Sequence, residues 1–306
     1  MTIKALDALE KGYQRSVNAR ISVAILYATN LLVVLPFAYA LHTTFVATAG
    51  SSMEHGVLIS GFDFTVISDY LRVNRPALSA LYNTAAGAVL AYLVVNIFLS
   101  GGIIATVRQD GMSPTAGEFF SGCATYCGRF LRLAFIISAG GLLVAVPVLI
   151  AIFSMIGLWE AGAQSEIPET IGLGLRLFFP LLLLVPLLMI YDYARIDTVL
   201  TNGGVMRKSA RRGIRFVYRR LGRTLKLQVL LFLLFLLLTA FYLAFASLIG
   251  TASPFAMVFT VALQQLFVLQ RMGLRVFGFA AESALYREVN PDGGGIPGWD
   301  TGHTWE

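Results

Sequence analysis

Residues Leu227–Ile249 read LQVLLFLLFLLLTAFYLAFASLI, and directly before them Arg211–Lys226 read RRGIRFVYRRLGRTLK. The first stretch carries no charge and is about as long as the roughly 20-residue helix that crosses a hydrocarbon core of ~30 Å. The second is dense in arginine, as the flank of a membrane helix is on the side where the chain meets anionic headgroups. Together they predict a membrane helix rising out of a basic surface.

Five further apolar stretches flank this one: residues 21–41, 78–106, 131–158, 171–191 and 254–269. The second and third exceed the minimum length, which tilt or extension beyond the lipid accommodates. The last is the weakest by hydropathy, because Gln264, Gln265 and Gln270 interrupt it. Its pattern continues to Tyr286, so a long helix emerging from the membrane is expected. The first stretch follows a basic leader without an A-x-A cleavage pattern, so it is read as a retained helix. Composition agrees, with 57% of residues hydrophobic and 13% charged, against about 25% charged in soluble domains. The expected fold is all-α: one six-helix membrane domain over residues 1–289, interfacial amphipathic helices, and a flexible Gly- and Pro-punctuated tail at 290–306.

Twenty of the 23 Lys and Arg residues fall on one side of this arrangement; Arg72, Arg75 and Arg176 are the exceptions. By the positive-inside rule, both termini are expected in the cytoplasm. The net charge of +6 is then a product of topology and does not point to nucleic acid. A loop from His42 to about Ala77 is expected outside, with a short acidic loop around Glu160, Glu166 and Glu169.

An offset of 94 residues superposes two of the basic connections. Gly128-Arg129 falls on Gly222-Arg223, and Leu131, Arg132 and Leu133 fall on Leu225, Lys226 and Leu227. Either a duplication or the common need for basic residues beside headgroups explains the match. On both readings an amphipathic helix precedes each rising span. The strongest is residues 207–222, with Ala210, Ile214, Val217 and Leu221 on one side, expected to lie at the acyl boundary. Arg207, Lys208, Arg211, Arg212, Arg215, Arg219, Arg220 and Arg223 are the candidate contacts to lipid headgroups or a partner.

Ion-coupled transport usually needs an ionisable group at mid-membrane depth. The polar residues there are instead the amides Asn30, Asn83, Asn96, Gln264 and Gln265, read as interhelical hydrogen-bonding groups. Asp192, Arg195 and Asp197 stand at the basic end of the fourth stretch. With Arg129 and Arg132 they are expected to form a salt-bridge latch between helix ends. Arg176 is expected to snorkel or to pair with an acidic residue of the outer loop. His42, Glu54, His55, Asp63 and Asp69 lack metal-site spacing, and Cys123 and Cys127 form no zinc or disulfide framework. Gly101-Gly102 and Gly140-Gly141 suit either close helix approach or hinges. No catalytic, metal or cofactor set is legible, so a non-enzymatic role is expected.

Several local stretches resemble a group of uncharacterised bacterial six-helix membrane proteins. They are Leu26–Asn30 with Leu35-Pro36, Gly61–Asp63, Gly101-Gly102, Glu118–Phe120 followed by Cys123, Tyr126, Arg129-Phe130 and Arg132-Leu133, then Asp192–Ile196 and Ala280–Tyr286. More distantly the chain is similar to the membrane domain attached to some glycerophosphodiester phosphodiesterases. It has no room for their catalytic barrel, so hydrolase activity is not implied. The resemblance implies a bacterial inner membrane and carries no established activity. From the architecture, a lipid-binding or partner-binding scaffold or accessory subunit is expected; the alternative expectation is a transporter or channel for a small or lipid-like solute.

Overall fold

A computed structural model describes residues 3–49, 72, 75–108, 114–162, 167–249 and 254–289. Among these the chain is all-α, with eight helices and no strand. They are α1 (Ile3–Asn18), α2 (Arg20–Ala49), α3 (Arg75–Val107), α4 (Ala116–Ala161), α5 (Ile167–Leu200), α6 (Met206–Arg219), α7 (Leu221–Leu248) and α8 (Pro254–Val289). All but α1 and α6 are long and apolar enough to cross a bilayer, and the protein is a multi-pass membrane protein. Each apolar stretch read from the sequence lies within one of these six helices, to within one residue.

Two helices differ from expectation. Helix α2 does not yield to a loop at His42 but continues to Ala49. Thr43 and Thr44 each donate their hydroxyls back to the Ala40 carbonyl, which satisfies polar side chains without leaving the helix. At its other end the expected loop is shortened by α3, which already begins at Arg75; residues 50–71, with Glu54, His55, Asp63 and Asp69, lie outside the described residues, as does the tail from 290. In α4, residues 116–132 are not a separate interfacial helix but the start of one 46-residue helix. At 1.5 Å per residue it is about 69 Å long, more than twice the hydrocarbon thickness. It begins with a capping box, Thr115 accepting from the Glu118 amide and Glu118 accepting from the Thr115 amide. Helix α8 is a single rod from Pro254 to Val289, as its pattern foretold.

The breaks come elsewhere, at Ala19 between α1 and α2 and at Arg220 between α6 and α7. Tyr126 falls on Arg220 at the 94-residue offset, yet the two positions behave oppositely. Tyr126 is buried and stacks on Phe130, 5.9 Å between ring centroids, so packing holds α4 straight. Arg220 has no such anchor, and its backbone leaves helical geometry. The offset pairs a continuous helix with a broken one.

The chain forms two compact units: Met1–Val23 with Ser100–Glu306, and Ala24–Leu99. The second holds the apolar bodies of α2 and α3, with Leu32, Leu35, Tyr39, Tyr82 and Leu90 exposed. In the first unit, burial follows the arginines. Along α4, Leu133 is 0% exposed and Leu143 79%; along α8, Ala280 is 0% and Phe255 88%. Helices α5 and α7 switch the same way, from buried Ile196 and Leu227 to exposed Leu177 and Phe241. The packed core therefore sits at the basic end. Apolar patches this large are not tolerated in water, whereas acyl chains are as apolar as leucine.

Small residues permit the close crossings in that core. A Cβ on Gly12 of α1 would stand 2.8 Å from the Ala281 backbone of α8, and one on Gly213 of α6 would stand 3.1 Å from the Ala194 backbone of α5. Gly101 and Gly102 press on Gly122, Cys123 and Phe119 of α4, so that pair serves close approach. Two arginines join helix ends: Arg287 donates to the Arg108 carbonyl at 3.0 Å, and Arg108 to the Val199 carbonyl at 3.2 Å. Carbonyls at helix C-termini lack intrahelical partners and are well served by guanidinium.

Candidate functional site

The last turns of α5 run through the middle of the basic core. Asp197 is 0% exposed. Its Oδ2 accepts from Arg212 Nε at 2.9 Å and pairs with Arg212 Nη2 at 2.8 Å, and its Oδ1 accepts from the Tyr286 hydroxyl at 2.7 Å. Arg212 Nη2 is also within 3.3 Å of the Thr201 and Ser209 hydroxyls. Around this carboxylate pack the rings of Tyr193, Phe216 and Tyr286, with Phe216 4.8 Å from Tyr193 and 4.7 Å from Tyr286. Helices α5, α6 and α8 are thus joined through one buried charge whose two oxygens are both engaged.

One turn earlier, Arg195 pairs with Asp192 on the same helix face. Its guanidinium lies 4.1 Å from the centroid of the Tyr191 ring and 4.9 Å from that of Phe279. Arg195 Nε has no acceptor among the described residues. Buried Glu282 of α8 faces the same pair electrostatically. This cluster forms one end of a cleft of about 440 Å³ between α5, α7 and α8. Its polar lining is Asp192, Arg195, Gln228, Arg271, Arg275 and Glu282. Leu231, Phe232, Phe235, Leu274 and Phe279 supply its apolar lining. The spacing explains the shared face: 271, 274, 275, 278, 279 and 282 recur on one side of α8, and 228, 231, 232 and 235 on one side of α7.

A second hollow, of about 280 Å³, is lined by Arg212, Arg215, Arg219 and Arg220 with Asp197, Phe216 and Tyr286. Residues 212, 215, 216 and 219 form one stripe of α6, and Arg220 follows at the helix break.

The structure distributes the sequence candidates unevenly. Asp192 and Arg195 share a helix face and pair with each other, within α5 and not between helix ends. Asp197 takes Arg212 as its partner, while Arg129 donates to the Asn202 amide oxygen at 2.7 Å and Arg132 is exposed. Helix packing decides this: α6 lies directly on α5 at Gly213 and Ala194. The buried face of α6 is Met206, Ser209, Ala210, Gly213, Phe216 and Val217. It docks on protein and not at the acyl boundary, and Ile214 and Leu221 fall outside it, exposed. Arg207, Lys208 and Arg211 are exposed, and Arg223 is half-buried. Asn83 and Gln264 are exposed, Asn30, Asn96 and Gln265 half-buried, and none of the five lines either cavity. Arg176 pairs with Glu160 at the far end of α4 and α5, as expected. Cys123 is buried and Cys127 half-buried, both free.

Sequence reading missed Arg271, Arg275, Glu282 and Gln228 as parts of one site. The signal was present as the 271–275–282 spacing on an otherwise apolar helix, but it also fits an ordinary basic flank. Compared with protein-family models, curated proteins and solved structures, the chain has no match.

Proposed function

We propose that the protein is a non-enzymatic scaffold or accessory subunit of a bacterial inner membrane, which binds an anionic lipid through the α5–α7–α8 cleft. The observation that carries this reading is the adjacency of Arg195, Arg271 and Arg275 to Leu231, Phe232, Phe235 and Leu274 in one hollow. An anionic headgroup meets the guanidinium groups, and the start of its acyl chains meets the rings and leucines.

Depth supports the assignment. Arg271 stands 17 residues along α8 from Pro254, or about 25 Å at 1.5 Å per residue. It therefore comes close to the far boundary of a hydrocarbon core of ~30 Å, where a headgroup lies. Each arginine near an anionic surface contributes ~1 kcal/mol. The asymmetric distribution of Lys and Arg supports a topology with both termini in the cytoplasm, so the cleft opens to the inner leaflet.

The test is native mass spectrometry of the protein purified in mild detergent. Anionic phospholipid should co-purify with the wild type and be depleted in the Arg271→Gln/Arg275→Gln variant. Equal lipid occupancy in both, or retention of zwitterionic lipid alone, contradicts the reading.

A further inference from the structure

We propose that the arginine-lined hollow on α6 is a second, separate binding site, specific for a phosphate monoester or pyrophosphate group. Four guanidinium groups converge there: Arg212, Arg215, Arg219 and Arg220. Among the described residues Asp197 is the only carboxylate lining the hollow, and both of its oxygens are already engaged, by Arg212 and Tyr286. The side chains of Arg215, Arg219 and Arg220 make no hydrogen bond or ion pair with any described residue.

Guanidinium groups gathered without counter-charge repel one another, and a multivalent anion relieves that repulsion most effectively. The planar fork of arginine matches phosphate oxygens two at a time, and several forks around one hollow favour a group with three or more oxygens. A singly charged carboxylate compensates less charge and offers two oxygens.

The hollow is also organised in advance. Arg212 is fixed by Asp197, Thr201 and Ser209, so one wall needs no reordering. Phe216 and Tyr286, both buried, form a rigid aromatic floor. Arg220 enters from outside the helical stripe because α6 ends there, its amide N–H bonding the Phe216 and Val217 carbonyls. A volume of about 280 Å³ admits a phosphate and a small attached group, not a whole phospholipid. The phosphate comes either free in solution or on a lipid headgroup projecting into the hollow.

The experiment titrates inorganic pyrophosphate into detergent-purified protein by calorimetry at fixed ionic strength. In parallel, protein binding is measured to phosphatidylcholine vesicles doped with phosphatidic acid, or at equal charge with phosphatidylglycerol. Binding of pyrophosphate that weakens by about tenfold or more in Arg215→Gln/Arg219→Gln/Arg220→Gln supports a free phosphate ligand. Binding of phosphatidic acid alone, with the same loss, supports a lipid phosphomonoester. Arg215→Lys keeps the charge but loses the fork, and should weaken binding severalfold with an unchanged melting temperature. Arg271→Gln/Arg275→Gln should bind pyrophosphate like wild type, which separates this site from the cleft. The proposal is overturned by pyrophosphate binding no stronger than that of chloride, by an equal loss of both anionic lipids in the triple variant, or by undiminished binding in that variant.

Discussion

The hydroxyl of Tyr286, near the end of α8, donates to Oδ1 of Asp197 in α5 across 89 residues of sequence. It joins α8 to α5, and with Arg212 it engages both oxygens of a fully buried carboxylate. Tyr286→Phe keeps the ring contacts with Phe216 and Tyr193 and deletes only that bond. Thermal unfolding in detergent should show a loss of about 1–3 kcal/mol, since a charged acceptor loses one donor.

Asp197→Ala removes the centre of the network and should cost more, near the lower end of the ~3–5 kcal/mol typical of a broken buried pair. The low end is expected because the Arg212 side chain is 44% exposed and water takes up its charge. A loss equal to that of Tyr286→Phe would show that the ion pair contributes nothing.

Gly12→Val should displace α1. The added carbons collide with the Ala281 backbone, which has no flexible end to swing aside. Destabilisation of about 1–3 kcal/mol is expected, with faster proteolysis of the leader. An unchanged digestion pattern would show that α1 is not held at this crossing.

Asn202 has φ of 46° in the α5–α6 connection, a left-handed conformation tolerated by asparagine and costly for branched residues. Asn202→Val should cost about 1–2 kcal/mol and also lose the Arg129 contact. Asn202→Gly loses only the contact. Equal melting temperatures for the two variants would remove backbone conformation as the cause.

The six apolar helices were legible because crossing a bilayer demands length and composition, both written along the chain. The extent of α8 was legible too, because its apolar pattern resumes after the three glutamines and continues to Tyr286. The location of the core was not, because leucine against lipid and leucine against protein have the same hydropathy. Leu133 and Leu143 look alike in sequence and differ completely in burial. The partner of Asp197 was hidden too, since many arginines were within plausible reach and the Gly213–Ala194 crossing selected Arg212. The buried stripe on α6 excludes Ile214 and Leu221 and includes Ser209 and Gly213, which hydropathy alone ranks the other way round. Those small residues are buried because they let the helices meet.

Within the first unit, Glu160 and Arg176 tie α4 to α5 far from the basic end, and the stacked rings of Tyr242 and Phe267, 4.4 Å apart, tie α7 to α8. The contacts linking α5 to α8 through Tyr193, Asp197 and Tyr286 all lie at the basic end. The α4–α5 and α7–α8 hairpins thus share an aromatic and ionic junction at the basic end, and the testable consequence is that their far tips open and close about that hinge like tongs. Acyl chains that entered between the tips would make their opening depend on bilayer lateral pressure. Spin labels at Leu158 and Leu248 should report a broader distance distribution than labels at Arg132 and Lys226, and one that narrows in stiffer lipid. A distribution equally sharp at both ends would mean the tips are fixed and the hinge is rigid.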